Sequence, residues 1–333
     1  MSLIQHSVVV VTPVYEDVEA SSRLFQELSN QFGEDVFVVA VDDGSVRQPL
    51  SIDSLDKAGL DGVILKLRRN VGHQRAIAIG LGYTSEYIGD LQRVVVMDSD
   101  GEDLPSTIPE LLDRLASPDV DVAVAQRKSR VETFRFKAFY AVYKRVFRLL
   151  AGRAISFGNF MALKSSAVRR LAAMQELSIH VAGAVIASKL RTSVCPLHRG
   201  PRYAGQSKMN FVGLVLHGFK GLMVFAEDVL VRVGIASASI AALSVCGALL
   251  ATLLKMIGFS TPGWFSIALG LLVLMFLQTG ALALMTLMLT GVVRGGAVTT
   301  SLSYHDFVDA IFTTKKREGG VLPQAKTWDV PGQ

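Results

Sequence analysis

Short runs of consecutive apolar residues alternate along the first two thirds of the chain with segments whose apolar positions recur every three or four residues. Ser7–Thr12, Val36–Val41, Val63–Leu67, Val94–Met97 and Val120–Ala125 have the length and unbroken apolar character of buried strands. Val18–Phe32, Gln74–Tyr87 and Ile108–Leu115 carry helical spacing between them. This alternation predicts an α/β fold with a mainly parallel sheet covered on both faces, in the manner of a Rossmann-like domain. No internal repeat is present. In open sheets of this kind ligands bind beyond the carboxyl ends of the strands, so the residues that follow each run are the first candidates for chemistry.

The pattern changes after Arg232. Val233–Leu254 holds no charged residue, and at about 1.5 Å per residue a helix crosses a hydrocarbon core of about 30 Å in about 20 residues. Thr261-Pro262-Gly263 then marks a turn, and Trp264–Val293 is a second uncharged run that stops at Arg294. The two runs predict a transmembrane hairpin. Arg232 on one flank and Arg294, Lys315, Lys316 and Arg317 on the other predict that both ends face the cytosol, as an integral inner-membrane protein with its α/β domain and termini on that side. Phe211–Val231 mixes apolar residues with Lys220, Glu227 and Asp228, which predicts an amphipathic interfacial helix. Residues 1–209 are thus expected to form the α/β domain, 210–232 the interfacial helix and 233–293 the hairpin. Residues 294–333 are expected to form a cytosolic tail, flexible from Lys315 onward.

Phe134–Ala151 reads as a helix carrying Arg135, Lys137, Lys144, Arg145 and Arg148, either a solvated basic face or one lying near anionic headgroups. Met1–Thr12 lacks the charged start and small-residue cleavage site of a signal peptide and reads as a first strand.

Composition fits this division. Half of the 333 residues are hydrophobic and 19% are charged, with a formal net charge of +5. That charge suits nucleic acid, anionic lipid or a phosphate-bearing substrate; no nucleic-acid-binding module is present, and the apolar runs favour the other two. The two cysteines, Cys195 and Cys246, are separated by the predicted membrane boundary, so neither a disulfide nor a cysteine-based zinc site is implied.

Four strand ends carry polar motifs: Pro13-Val14-Tyr15-Glu16, Asp42-Asp43-Gly44-Ser45, Asn70-Val71-Gly72 and Asp98-Ser99-Asp100. Asp98 and Asp100 on a turn can face one hard divalent cation, Mg²⁺ or Mn²⁺, and through it a diphosphate. Gly44 permits a tight turn that leaves Asp42 and Asp43 free to accept hydrogen bonds from a base or ribose. His73 reads as a surface residue at a helix start, with contact to a donor phosphate as the alternative. The scattered histidines form no metal-ligand spacing.

In this order and at these separations the four motifs resemble the family 2 glycosyltransferases of GT-A fold, over roughly residues 7 to 210. Within that family the chain looks most like the polyprenyl-phosphate glycosyltransferases related to dolichyl-phosphate mannose synthase. That likeness includes Arg202-Tyr203-Ala204-Gly205-Gln206-Ser207-Lys208, an R-x-x-G-x-S-K pattern placed before an interfacial helix and a membrane hairpin. The resemblance implies inverting transfer of one sugar from a UDP- or GDP-sugar to a polyprenyl phosphate such as undecaprenyl phosphate, in the service of an envelope glycan. It implies Asp98 and Asp100 as metal ligands and Pro13, Tyr15, Glu16, Asp42, Asp43, Asn70, Asp98 and Ser99 as donor-binding residues. Arg202, Ser207 and Lys208 would contact donor or acceptor phosphates, with Asp100 and Lys208 at the reaction centre; a lipid phosphate also needs cations near it, for which Arg127 and Arg130 beyond the fifth strand are candidates, with a solvated surface position as the alternative. Where relatives read G-D-F-R-L, with the aspartate as proposed base, this chain has Gly158-Asn159-Phe160-Met161-Ala162. Asparagine takes no proton, which suits an ionised phosphate acceptor better than a sugar hydroxyl. A glycolipid hydroxyl acceptor and a catalytically silent membrane scaffold are the rival readings; a homo-oligomer is left open.

Overall fold

A computed structural model describes residues 6–127, 144–203, 211–259, 263–297 and 304–314. The apolar runs become strands whose every residue is buried: Val8–Val14 (β1) and Val36–Asp42 (β2) are buried along their whole length, and Asp61–Leu67 (β3) nearly so. Arg93–Val96 (β4) and Val122–Arg127 (β5) follow. Val18–Phe32 (α1), Asp53–Ala58 (α2), His73–Tyr87 (α3) and Ile108–Leu115 (α4) connect them.

Three strands and two helices lie where no strong periodicity marks them. Met161–Lys164 (β6) is only four residues long, and Thr192–Leu197 (β7) is an edge strand that tolerates Pro196 because its outer side needs no ladder hydrogen bond. Ser165–Ala172 (α5) and Val181–Ala187 (α6) lie between them. Val308–Thr313 (β8) corrects the expectation that residues 294–333 are a tail, for it pairs antiparallel with β3 from Val63 opposite Thr313 to Leu67 opposite Val308. Its isolated position after an apolar helix hides it in the sequence, whereas the open edge of β3 supplies its hydrogen-bonding partner.

The eight strands form one mixed sheet in the order β7-β5-β6-β4-β1-β2-β3-β8. Period-two alternation splits its side chains between two cores. Val9 and Val11 face α3, α5 and α6, while Val8, Val10 and Val14 face α1, α2 and α4. The winding reverses direction between β1 and β4, both parallel to each other and flanked by strands of opposite progression, which opens a crevice at their carboxyl ends.

The long apolar segments form a separate compact unit. The helix expected to run to Val231 breaks at Phe225, whose backbone is non-helical, giving Phe211–Val224 (α7) and Ala226–Met256 (α8). Glu227 and Asp228 sit in the first turn of α8, where carboxylates favour a helix start. Trp264–Ala297 (α9) follows. A β-carbon on Gly234 would lie 2.8 Å from Thr286 and one on Gly247 would lie 3.1 Å from Leu272, so the two helices run antiparallel at close range. Leu243, Leu253, Leu287 and Met288 point outward, and both helices are long and apolar enough to cross a membrane. The described part of the basic segment, residues 144–151, is helical.

Gly80 sets how closely α3 approaches the sheet, since a β-carbon there would lie 2.6 Å from Val11 Cγ1 and 2.9 Å from Val41 Cγ2. Both valines are fully buried in central strands and have nowhere to move. Gly80→Val should therefore lower stability by about 2 kcal/mol, because overpacking outweighs any gain in helix propensity. Thermal unfolding of the detergent-purified protein measures the loss; an unchanged midpoint would mean that α3 can lift without cost.

Candidate active site

The crevice is built from loops that satisfy the carboxylates at their own strand ends. Asp42 is buried and accepts from the amides of Ser45 (2.9 Å) and Leu50 (3.0 Å). Asp43, also buried, accepts from Val71 N (2.7 Å) and Gly72 N (3.0 Å), which ties the end of β2 to the turn before α3. Burial raises the Asp43 pKa against the opposing effect of those two amides. Gly44, at φ +71°, makes this approach possible: a β-carbon would lie 2.5 Å from the carbonyl carbon of Arg69 and 2.6 Å from Asn70 N. Glu16 gathers the amides of Val46 (2.7 Å), Arg47 (3.0 Å) and Gln48 (2.8 Å). The carboxylates expected to be free for a base or ribose are therefore engaged by backbone amides, because a buried charge needs such donors.

The opposite wall is the turn after β4. Ser99 is buried and its hydroxyl donates to the Pro13 carbonyl (3.1 Å), locking the ends of β4 and β1 across the switch point. Asp98, Asp100, Glu102 and Asp103 crowd one short loop, and two arginines from the segment after β7 answer them. Arg202 pairs with Asp100 (2.9 Å) and Glu102 (3.4 Å), while Arg199 pairs with Glu102 and Asp103 (3.4 Å). The same segment docks by backbone, with Tyr203 N on the Asp100 carbonyl (2.8 Å) and Gly200 N on that of Glu102 (3.0 Å). The Tyr203 ring covers Gly101, its hydroxyl donates to Glu27 (2.6 Å), and the Arg23 guanidinium lies 4.3 Å from the ring centre. Asp103 is almost fully buried, accepts from Asp98 N (3.0 Å), and is pushed up to about 7 by burial and by Asp98.

The pairing of β4 with β6, Val96 opposite Met161, carried two residues further sets Asp98 opposite Asn159. His73, first residue of α3, lies between them, with Nε2 3.1 Å from Asp98 Oδ1 and 3.0 Å from Asn159 Nδ2. Burial works against a charged imidazole, but the attraction of Asp98, then Asp100 and Asp103, raises its pKa overall. Gln74 donates to Asn159 Oδ1 (3.2 Å) and accepts from Val181 N (2.7 Å), which fixes the asparagine from behind.

Asp98 Oδ1 is a buried oxygen that no hydrogen bond of good geometry reaches. Together with Asp100 it offers the hard oxygen ligands that a divalent cation takes, so the residues fit such an ion. Among the described residues no three His, Cys, Asp or Glu side chains converge as a cage, so remaining ligands would come from substrate and water.

The structure thus brings Pro13, Asp42, Asp43, Asp98, Ser99, Asp100, Asn159 and Arg202 to the strand ends around one crevice. Tyr15, 44% exposed, and Asn70, also exposed, lie in the turns beyond β1 and β3. Arg127 closes β5 opposite Leu197. Arg130, Ser207 and Lys208 lie outside the described residues. His73, read as a surface residue at a helix start, is 44% exposed there and also joins the polar cluster, while Gln74, Asp103 and Arg199 lie outside the residues expected from sequence. Asp103 continues the acidic spacing after Asp98 and Asp100, and Arg199 stands one turn before Arg202; both were visible as charges without evident partners.

The family described as "Glycosyl transferase family 2" matches residues 9–177. "Uncharacterized glycosyltransferase YkcC" of Bacillus subtilis (strain 168) is 26% identical over 235 residues, covering 67% of this chain and 69% of that protein. "Uncharacterized glycosyltransferase sll0501" of Synechocystis sp. is 26% identical over 227 residues, 65% of this chain and 69% of that protein. Among solved structures, glucosyl-3-phosphoglycerate synthase from Mycobacterium tuberculosis, in complex with Mn²⁺ and UDP-glucose, is 16% identical with a TM-score of 0.47 and covers 68% of this chain and 79% of that one.

Glu16 generates a pH prediction. The amides of Arg47 and Val46, then Gln48, hold its carboxyl below the ordinary glutamate value of 4.5, outweighing partial burial. A depressed carboxyl stabilises the fold fully above its unfolded pKa, and that contribution is lost as pH falls through the folded value. Glu16→Gln, with one acceptor oxygen in place of two, should melt earlier than the wild type at pH 7, and the gap should close on acidification below the usual carboxylate range. A gap independent of pH would show that the charge does not hold the 46–48 loop.

Proposed function

The chain belongs to glycosyl transferase family 2 and is a nucleotide-sugar glycosyltransferase, and on that premise we propose that it transfers one sugar with inversion to a polyprenyl phosphate at the cytosolic membrane face. The observation that carries the acceptor is Asn159. It lies opposite Asp98 by strand register, held by Gln74 and His73, and it cannot take a proton. An acceptor at this position must arrive already ionised. A phosphate monoester does so near neutral pH, whereas a sugar hydroxyl does not. The apolar hairpin supports a lipid as the carrier of that phosphate.

In this reading a phosphate oxygen attacks the anomeric carbon, the bond from that carbon to the diphosphate oxygen breaks, and a nucleoside diphosphate leaves. Asp98 and Asp100 would hold Mg²⁺ or Mn²⁺, which neutralises charge on the leaving diphosphate. Arg202 pairs with Asp100, and that position beside the metal ligand supports a role for it in contacting the same diphosphate. The turns bearing Tyr15, Glu16, Asp43 and Asn70 border the nucleoside, held in place by their amide-carboxylate bonds. Arg127, Arg130, Ser207 and Lys208 supply donors for the acceptor phosphate.

The test incubates full-length protein in detergent with UDP- and GDP-sugars and undecaprenyl phosphate, and identifies the product by mass spectrometry. A lipid phosphate carrying one sugar is expected; transfer only to hydroxyl acceptors would overturn the reading. Activity should vanish in excess EDTA and return with Mg²⁺ or Mn²⁺, and full activity in chelator would remove the metal role of Asp98 and Asp100. Lys208→Ala should lower kcat/KM on the order of a hundredfold, against less than about tenfold for a lysine making surface ion pairs.

A further inference from the structure

We infer that the segment following the second apolar helix, residues 304–314, positions the donor side of the site, with Phe307 as its point of contact. The residue next to the donor turn is gripped by it twice. Arg68 N donates to the Phe307 carbonyl (3.0 Å) and Arg68 Nε to the Val308 carbonyl (3.3 Å), at the point where the register between β3 and β8 shifts. The Phe307 ring lies beneath the Arg75 guanidinium at 5.8 Å, so it also touches the first turn of α3 on the far side of that turn.

Tyr304 anchors the start of the segment. It is 4% exposed, edge-on to Tyr83 at 5.8 Å, with its hydroxyl on Glu86 (2.8 Å). Thr314 fastens the other end, its amide on the Gly62 carbonyl (3.1 Å) and its hydroxyl accepting from Gly62 N (3.0 Å). Between these anchors β8 pairs with β3 from Val63 to Leu67, and β3 runs directly into residues 68–72.

Those five residues have no secondary structure of their own and take their shape from three sources. Asp43 holds 71 and 72, Gly44 sets the closest approach of 69 and 70, and Phe307 with Val308 holds 68. Two of the three come from the turn after β2, inside the stretch that matches the family. The third comes from sequence on the far side of the membrane hairpin. Phe307 is thus a positioning residue: its backbone carbonyl holds Arg68, and its ring, which Phe307→Ala removes, acts through Arg75 on the turn bearing Asn70. The inference rests on the family assignment that donor binds at these strand ends, but its test needs no donor.

Amide exchange of the full-length protein in detergent, without ligand, is compared for wild type, Phe307→Ala, Phe307→Tyr and Arg68→Met. Phe307→Ala and Arg68→Met should speed exchange of the peptide spanning 66–74 about tenfold while β1 and β2 keep wild-type protection, and Phe307→Tyr should restore it. With whichever UDP- or GDP-sugar the wild type turns over, both impaired variants should raise donor KM several-fold and change kcat less than about twofold. Arg68 is exposed, so Arg68→Met should fold even if Phe307→Ala does not. Wild-type exchange of the 66–74 peptide overturns the inference, as does acceleration shared equally with β1 and β2, which would mean general loosening.

Discussion

The structure depends on the cost of burying carboxylates at strand ends. Asp42, Asp43 and Asp103 are all buried beside the crevice, and in a low-dielectric site each is met by backbone amides or, for Asp103, by an amide and the Arg199 guanidinium. The donors available to Asp42, Asp43 and Glu16 are backbone amides of neighbouring turns, so the loops fold around their acids. This explains why Gly44 is needed where it is: the turn of β2 and the turn of β3 meet backbone to backbone, and only a residue without a side chain fits between them.

The wall beyond β4 solves the same problem differently. Four acids, Asp98, Asp100, Glu102 and Asp103, face two arginines and one histidine. Their charges do not balance if all four acids are ionised, and Asp103 is pushed up to about 7, first by burial and then by the neighbouring Asp98. A divalent cation between Asp98 and Asp100 would remove that deficit and leave Arg202 with a new negative partner, the diphosphate. Asp98 Oδ1 has the His73 imidazole 3.1 Å away as its partner, which leaves room for a further cation.

Much of the scaffold was legible because parallel strands buried on both faces have unbroken apolar runs, as β1, β2 and β3 do. The helices between them followed from spacing, and α1 and α4 have the bounds that spacing predicts. What periodicity could not show was pairing. β6 is too short to stand out, β7 carries a proline, and β8 becomes a strand only because β3 offers an open edge. The site divides the same way. Asp98, Asp100 and Asp43 were legible as residue types at strand ends, but whether a carboxylate faces solvent or its own backbone is a property of the assembled loops. His73 is the surface residue at a helix start that its position suggested, but its contact with Asn159, 86 residues away, was not legible, because it depends on how the start of α3 meets the strand ends where β4 and β6 pair.

The apolar hairpin is inserted between two stretches of chain that both return to the α/β domain. Residues 199–203, before it, cover the acidic turn; residues 304–314, after it, close the edge of β3 and hold the start of the 68–72 turn. Apolar helices attached to one end of a domain need no such arrangement. A fragment that stops before the hairpin therefore loses a strand as well as the apolar helices, and exposes the hydrogen-bonding edge of β3. Joining the two stretches by a short linker across residues 211–303 would keep both crevice walls. The catalytic unit is thus discontinuous in sequence, and its boundaries follow the sheet.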